Sequence, residues 1–164
     1  MNSAENSEKF SSAVTYSSYL SVDQLLELQK PRSDGPEHDE MLFIIVHQTY
    51  ELWFKCVLHE LAWVQSLLET GETHASLSVF GRIRTIFKVL VSQVDILETM
   101  TPLQFNSFRD RLEAASGFQS VQFRELEAVL GRRDATMADH LEPNSAARLR
   151  VVDAMNRRSL WDSV

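Results

Sequence analysis

The stretch 38-HDEMLFIIVHQTYELWFKCVLHELAWVQSLLET-70 decides the fold. It contains neither Gly nor Pro, and at 1.5 Å per residue it predicts one helix about 50 Å long. Its middle, MLFIIVHQTYELWF, is apolar on nearly every side. Such a helix belongs at the centre of a domain rather than on its surface. Upstream, 32-RSDGPE-37 reads as a loop, and Ser21-Val22-Asp23-Gln24 fits a capping box for a short helix. That helix runs to about Gln29 and stops before Pro31. The polar, Ser-rich residues 1–13 read as a mobile arm preceding a single helical domain, 14–164.

Downstream, Gly71 ends the central helix, and a second long one is expected from about Leu77 to Met100. Phe80, Ile83, Phe87, Leu90, Val94 and Leu97 step by threes and fours, which makes it half-exposed. Thr101-Pro102 places a hydroxyl at a cap and proline at the first helical position. The short helix they open is expected to end near Ser116-Gly117 on a left-handed glycine. A further helix spans about Gln119 to Leu130 before Gly131, and Pro143-Asn144-Ser145 opens another to about Asn156. The fold expected is an all-α bundle with long central helices. Arg158 to Val164 reads as the beginning of an element, so the chain is expected to be the N-terminal portion of a longer protein.

With 164 residues and 44% apolar content the chain can bury a core. Sixteen basic against 23 acidic side chains leave a net charge of −7, which argues against nucleic acid as a partner. The single Cys56 cannot form an internal disulfide, and its place among apolar neighbours makes it a core residue. The longest apolar run is Met41 to Val46, and the first residues lack the apolar centre of a secretion signal. A soluble, cytoplasmic protein without a membrane partner is expected.

Phe43, His47, Tyr50 and Phe54 are spaced by four, three and four, so they share a helix face. A histidine among aromatics is either a hydrogen-bonded core residue or the polar edge of a pocket for a flat apolar ligand. Phe105 and Arg109 form an i, i+4 pair. There the guanidinium either forks onto a ligand carboxylate or pairs on the surface with Asp110 or Glu113. Tyr16, Tyr19 and Leu20 could pack on their own core or reach a partner subunit. Glu51 and Lys55 are spaced for an ion pair. No residue three before any of the five histidines is Glu, which removes a di-iron carboxylate bundle, and His59-Glu60 is no zinc-protease motif. His38-Asp39-Glu40 reads as solvated charge at a helix start, so no metal site is expected from this chain.

Taken together, Tyr16-Ser-Ser-Tyr19-Leu20, HDEMLFIIVHQTYELWFK with the following HEL, and MTPLQFNSFRDRLEAASGFQSVQFRELE (100–127) resemble the tryptophan 2,3-dioxygenase family. The similarity runs continuously from about Val14 to Gly131, and SLWDSV near the end is similar to a family segment too. The resemblance implies an all-α haem dioxygenase, homotetrameric, that inserts both atoms of O2 across the indole C2–C3 bond of L-tryptophan to give N-formylkynurenine. It implies that His47 is the catalytic, distal-side histidine that hydrogen-bonds the indole N–H and that Phe43 is a wall of the indole pocket. Arg109 then grips the substrate carboxylate, Phe105 occupies a ring position, and Ser116-Gly117 lie near the haem edge. Tyr16, Tyr19 and Leu20 match a segment lent to the pocket by a neighbouring subunit. The family's iron-ligating histidine and a Gly/Thr-rich covering loop belong to a C-terminal half, so the axial ligand of haem b is not expected in this chain. Two other readings stay open: a haem monooxygenase acting on a substituted tryptophan or related aromatic amino acid, and a truncated helical subunit without activity.

Overall fold

The computed structural model describes residues 13–35, 37–113, 115 and 117–164, and the side chains of all of these except 118 and 135. The arm expected over 1–13 therefore lies outside the described residues except for its last position. Among the described residues there are seven α-helices and no strand. The chain divides into two compact units, 1–32 and 33–164.

The first unit holds α1 (Tyr16–Leu20) and α2 (Val22–Leu26). The capping box expected at Ser21 is found instead at Thr15, whose hydroxyl accepts from the Ser18 amide while the Ser18 hydroxyl accepts from the Thr15 amide. Ser21 cannot do the same for α2. It closes α1 in the left-handed conformation (φ 52°, ψ 42°), and no side-chain bond reaches the next helix from there. α2 stops at Leu26, three residues short of the expected end.

The second unit is organised by α3 (His38–Glu69) and α4 (Thr73–Glu98). The turn between them is closed by Gly71 at φ +81°, with the Glu72 amide donating back to the Leu67 carbonyl. Tyr50 meets Leu90 and Glu60 meets Arg82, so the two helices run antiparallel. Val57, Leu61, Val64 and Leu67 interlock with Val79, Ile83, Ile86 and Leu90, and Leu126 completes this core. Each such side chain withdrawn from water contributes about 1.5–3 kcal/mol. The Arg82–Glu60 pair, 2.8 Å, spans the seam with its arginine largely in solvent, so it adds little.

α5 (Pro102–Arg109) opens on the expected Thr101-Pro102 signal, reinforced by Gln104, which completes a capping box. It ends at Arg109 rather than near Gly117. A 3-10 turn, Asp110–Leu112, follows, and Glu113 then leaves helical space at φ 49°, ψ −120°. α6 (Val121–Val129) is capped by Ser120, and α7 (Ala146–Asn156) by Ser145. The C-terminal residues are docked: the Leu160 amide donates to the Val129 carbonyl, and Gln65 of α3 donates to Arg158 and Ser163. A Cβ on Gly131 (φ +105°) would stand 2.9 Å from the Trp161 ring, so only glycine lets this segment close.

Three sequence expectations are corrected. α3 is not covered on all sides: Met41, Ile45, Leu52 and Trp63 are exposed, because α4, α5, α6 and the C-terminal turn leave part of its circumference open. Glu40 is not solvated; it is 2% exposed and accepts from the Ser33 amide (3.1 Å) and hydroxyl (2.5 Å), since the preceding loop folds back over the first turn of α3. Glu51 does not pair with Lys55; its carboxylate is taken by the start of α6. By length and composition α3 is also the one described helix apolar enough to cross a membrane.

Candidate functional site

The N-terminal half of α3 carries Phe43 and His47 one turn apart, with ring centroids 4.0 Å apart. Phe105 and Phe108 of α5 pack against Phe43 at 5.7 and 5.6 Å, and meet each other edge to face. Phe108 is wholly buried and pins α5 to α3. Phe105, half-buried, stays at the surface of this aromatic group, and the Arg109 guanidinium lies over its ring, 5.5 Å from the centroid. Among the described residues no carboxylate comes within ion-pair distance of Arg109, so the surface pair with Asp110 or Glu113 does not form.

The tautomer of His47 follows from its neighbour. Its Nδ1 lies 2.8 Å from the Phe43 carbonyl oxygen. A carbonyl only accepts, so in the neutral ring Nδ1 carries the hydrogen and Nε2 is left as a hydrogen-bond acceptor. Phe43, His47, Phe105, Arg109 and Gly117 line one cavity of about 440 Å³. A second lobe of about 310 Å³ shares Phe43, His47 and Gly117 and extends to Glu51 and Ser120. A cavity of this size, with ring walls, one acceptor nitrogen and one guanidinium, suits an aromatic ring bearing an N–H at one edge and a carboxylate at the other end.

The helical row Phe43, His47, Tyr50, Phe54 therefore splits. The first two face the cavity, whereas Tyr50 and Phe54 turn to the core. The Tyr50 hydroxyl donates to the Leu90 carbonyl at 2.9 Å; burial first, and Asp95 second, push its pKa above the ordinary 10.0. Phe54 packs on Phe123 of α6 at 5.5 Å. Of the other expected residues, Gly117 opens the 3-10 turn Gly117–Gln119. Ser116 lies outside the described residues. Tyr16, Tyr19 and Leu20 sit on α1 in the 1–32 unit with exposed side chains.

Two groups of residues escaped the sequence reading. Leu112 and Ala115 add apolar lining to both lobes of the cavity, and Leu112, one turn beyond Arg109, could have been found from that spacing. Glu51 accepts from the Ser120 hydroxyl at 2.5 Å and from Gln122 at 2.8 Å, tying the segment before α6 to α3 one turn after His47. No local signal distinguishes that role from an ion pair with Lys55. Among the described residues no three His, Cys, Asp or Glu side chains are grouped to hold a metal ion.

The family model described as tryptophan 2,3-dioxygenase matches residues 1–157. The chain is 57% identical over 154 residues to the tryptophan 2,3-dioxygenase of Anaeromyxobacter sp. (strain K), covering 94% of this chain and 57% of that protein. It is 54% identical over 153 residues to the enzyme of that name from Herpetosiphon aurantiacus, covering 93% and 58% of the two chains. With the Pseudomonas aeruginosa protein the identity is 40% over 153 residues, covering 93% and 52%. The chain thus spans a little over half the length of the curated relatives it matches.

Proposed function

The chain belongs to the tryptophan 2,3-dioxygenase family, and on that premise we propose that its cavity is the substrate side of an enzyme that opens the indole ring of L-tryptophan. Both atoms of O2 enter the product, N-formylkynurenine, so the overall reaction needs no outside reductant. The observation that carries this reading is the convergence of His47 and Arg109, from separate helices, on one aromatic-walled cavity.

In this reading the indole lies against Phe43 and Phe105, and its N–H donates to Nε2 of His47. The Nδ1–H bond to the Phe43 carbonyl holds the imidazole in the tautomer that can accept. The guanidinium of Arg109, which makes no ion pair among the described residues and is backed by the Phe105 ring, takes the α-carboxylate. A charged hydrogen bond of this kind is worth about 1.5–3 kcal/mol. The apolar rings exclude water from the reacting face of the indole.

The donor set fits haem as a wall and not as an iron anchor. Phe43 and the open side of Gly117, where an added Cβ would touch nothing, can border a flat macrocycle. The one imidazole lining the cavity is the one assigned to the indole. His38, His59, His74 and His140 are exposed, and none of them lines it. When bound, haem supplies the activation of O2. The family resemblance assigns its axial ligand to a C-terminal half, outside this chain.

The exposed Tyr16, Tyr19 and Leu20, with Tyr16 and Tyr19 each 78% accessible, support a homotetramer in which one subunit lends this segment to its neighbour's pocket. The net charge of −7 supports a small-molecule partner over nucleic acid. The charged and polar groups Glu51, Lys55, His59 and Glu60 along α3 support a soluble protein over a membrane span, and the single Cys56 supports a reducing, cytoplasmic setting.

The test is product formation from L-tryptophan by the haem-loaded protein extended through the C-terminal half to which the family resemblance assigns the axial ligand, followed by mass analysis. A product carrying two added oxygen atoms is expected. One added atom would assign the chain to a hydroxylating relative, and a haem-loaded protein inert toward every indole amino acid would end the reading.

A further inference from the structure

One wall of the second lobe is held in place from α3. Glu51 stands one turn beyond His47 on that helix, and its carboxylate accepts from the Ser120 hydroxyl at 2.5 Å and from the Gln122 side-chain amide at 2.8 Å. The same amide nitrogen donates to the Glu51 backbone carbonyl, also at 2.8 Å. The Ser120 hydroxyl oxygen in turn accepts from the Phe123 amide at 3.2 Å, and the Ser120 amide donates to the Gly117 carbonyl at 3.1 Å. A hydroxyl has one hydrogen and a side-chain amide two, so neither Ser120 nor Gln122 has one left for a ligand. An unbroken chain of bonds thus runs from α3 through Ser120 to Gly117, which borders both lobes and where an added Cβ would touch nothing. The body of α6 is held separately: Phe54 meets Phe123 at 5.5 Å, and Leu126 lies in the core.

From this arrangement we infer that Glu51 is a positioning residue: through Ser120 it fixes Gly117 relative to His47 and so keeps the second lobe open to a haem edge. The inference rests on the reading of this cavity as the substrate and haem side of the pocket, and it adds the element that sets the lobe's width. Glu51 acts at one remove, because both of its carboxylate oxygens are taken by the wall. His47 is fixed within α3 by the bond of its Nδ1 to the Phe43 carbonyl, so one helix holds both sides of the lobe. The clamp closes only the first turn of α6 and leaves the apolar packing below it untouched. Its loss therefore loosens the lobe locally before it threatens the fold.

The experiment follows haem loss to an excess of haem-free globin from the extended, haem-loaded protein, alongside urea unfolding, in wild type and in the E51Q, Q122A, E51Q/Q122E and L61A variants. In E51Q the new amide still accepts from Ser120 but sets its NH2 against that of Gln122. Haem loss should quicken about three- to tenfold, with Q122A, which keeps Glu51 and the Ser120 cap, moving the same way. E51Q/Q122E exchanges donor and acceptor, and its rate should return to within about threefold of wild type. L61A opens a hole in the core ten residues along α3 from Glu51. It should unfold more easily than E51Q yet lose haem more slowly. Haem lost from E51Q and Q122A at the wild-type rate, or from L61A as fast as from E51Q, would overturn the proposal and leave the pocket standing. A wild-type protein that takes up no haem would end the pocket reading as well.

Discussion

The two halves of α3 follow one helix and do different work. From Val57 to Leu67 its inward face is dry: Val57, Leu61, Val64 and Leu67 fill the core against α4, and Glu60 is paired by Arg82. From His38 to Phe54 only Glu40 and Val46 are buried, although this half is the more densely apolar in sequence. Its rings are spent differently, Phe43 and His47 on the cavity and Tyr50 and Phe54 on flanking helices. Hydrophobic density and burial are thus not the same quantity. A segment apolar all round supplies faces for a core, a ligand and further partners at once, and neighbouring elements decide which face does which.

That contrast can be broken by mutation. The largest effect on stability is expected in the core half. Leu61→Ala should lower unfolding free energy by about 2–5 kcal/mol in urea titration, as the removed side chain leaves a cavity. A loss below about 1 kcal/mol would mean the core half is not the structural one. In the cavity region, Arg109→Ala should reverse the pattern. It should weaken L-tryptophan binding about 10–100-fold while shifting the unfolding midpoint by less than about 0.5 kcal/mol. Equal damage to folding would identify Arg109 as structural.

Glu51 lies where the two halves meet, and Glu51→Ala should cost about 1–3 kcal/mol by stripping Ser120 and Gln122 of their acceptor. Amide exchange in 117–120 should rise together with that loss; an unchanged exchange pattern would remove the link between α3 and the cavity's rim. The smallest effect is one of pH. Hydrogen bonds from the Ser159 amide and hydroxyl hold the Asp162 carboxyl below its ordinary 3.8, and those from Thr136 do the same for Asp134. A group with a lowered folded-state pKa stabilises the fold above its unfolded value, and that contribution is lost as pH falls through the folded value. Thermal midpoints should therefore drop below about pH 4, and Asp162→Asn should flatten the drop; an identical slope in the variant would show that the docked C-terminus plays no part.

Much of the helical framework was legible residue by residue. The Thr101-Pro102 start, the stop at Gly71 and the Ser145 cap act through groups within a few positions of each other, so sequence carries them. The limits of that locality are equally visible. Ser21 has the residue types of a capping box but is in left-handed geometry because it also ends α1. Gly117 looked like a helix terminus, yet the chain leaves α5 at Arg109 and turns at Glu113. For the site, spacing alone left His47 and Arg109 each with two readings. The family resemblance chose between them, and the bond to the Phe43 carbonyl and the stacking on Phe105 are what the coordinates add.

Sequence alone determined that helices dominate and where several of them start or stop, because capping, glycine stops and the absence of breakers over 38–70 are short-range effects. It also carried the membership of the family, through long runs of family-like sequence in the right order. Only the tertiary structure decided which flank of α3 is dry, that Glu51 serves α6 instead of Lys55, and that Arg109 and His47 open onto one cavity. The physical reason is that a helix apolar around its whole circumference has no preferred inward face until another element packs on it, and a side chain's partner is set by whichever distant backbone arrives.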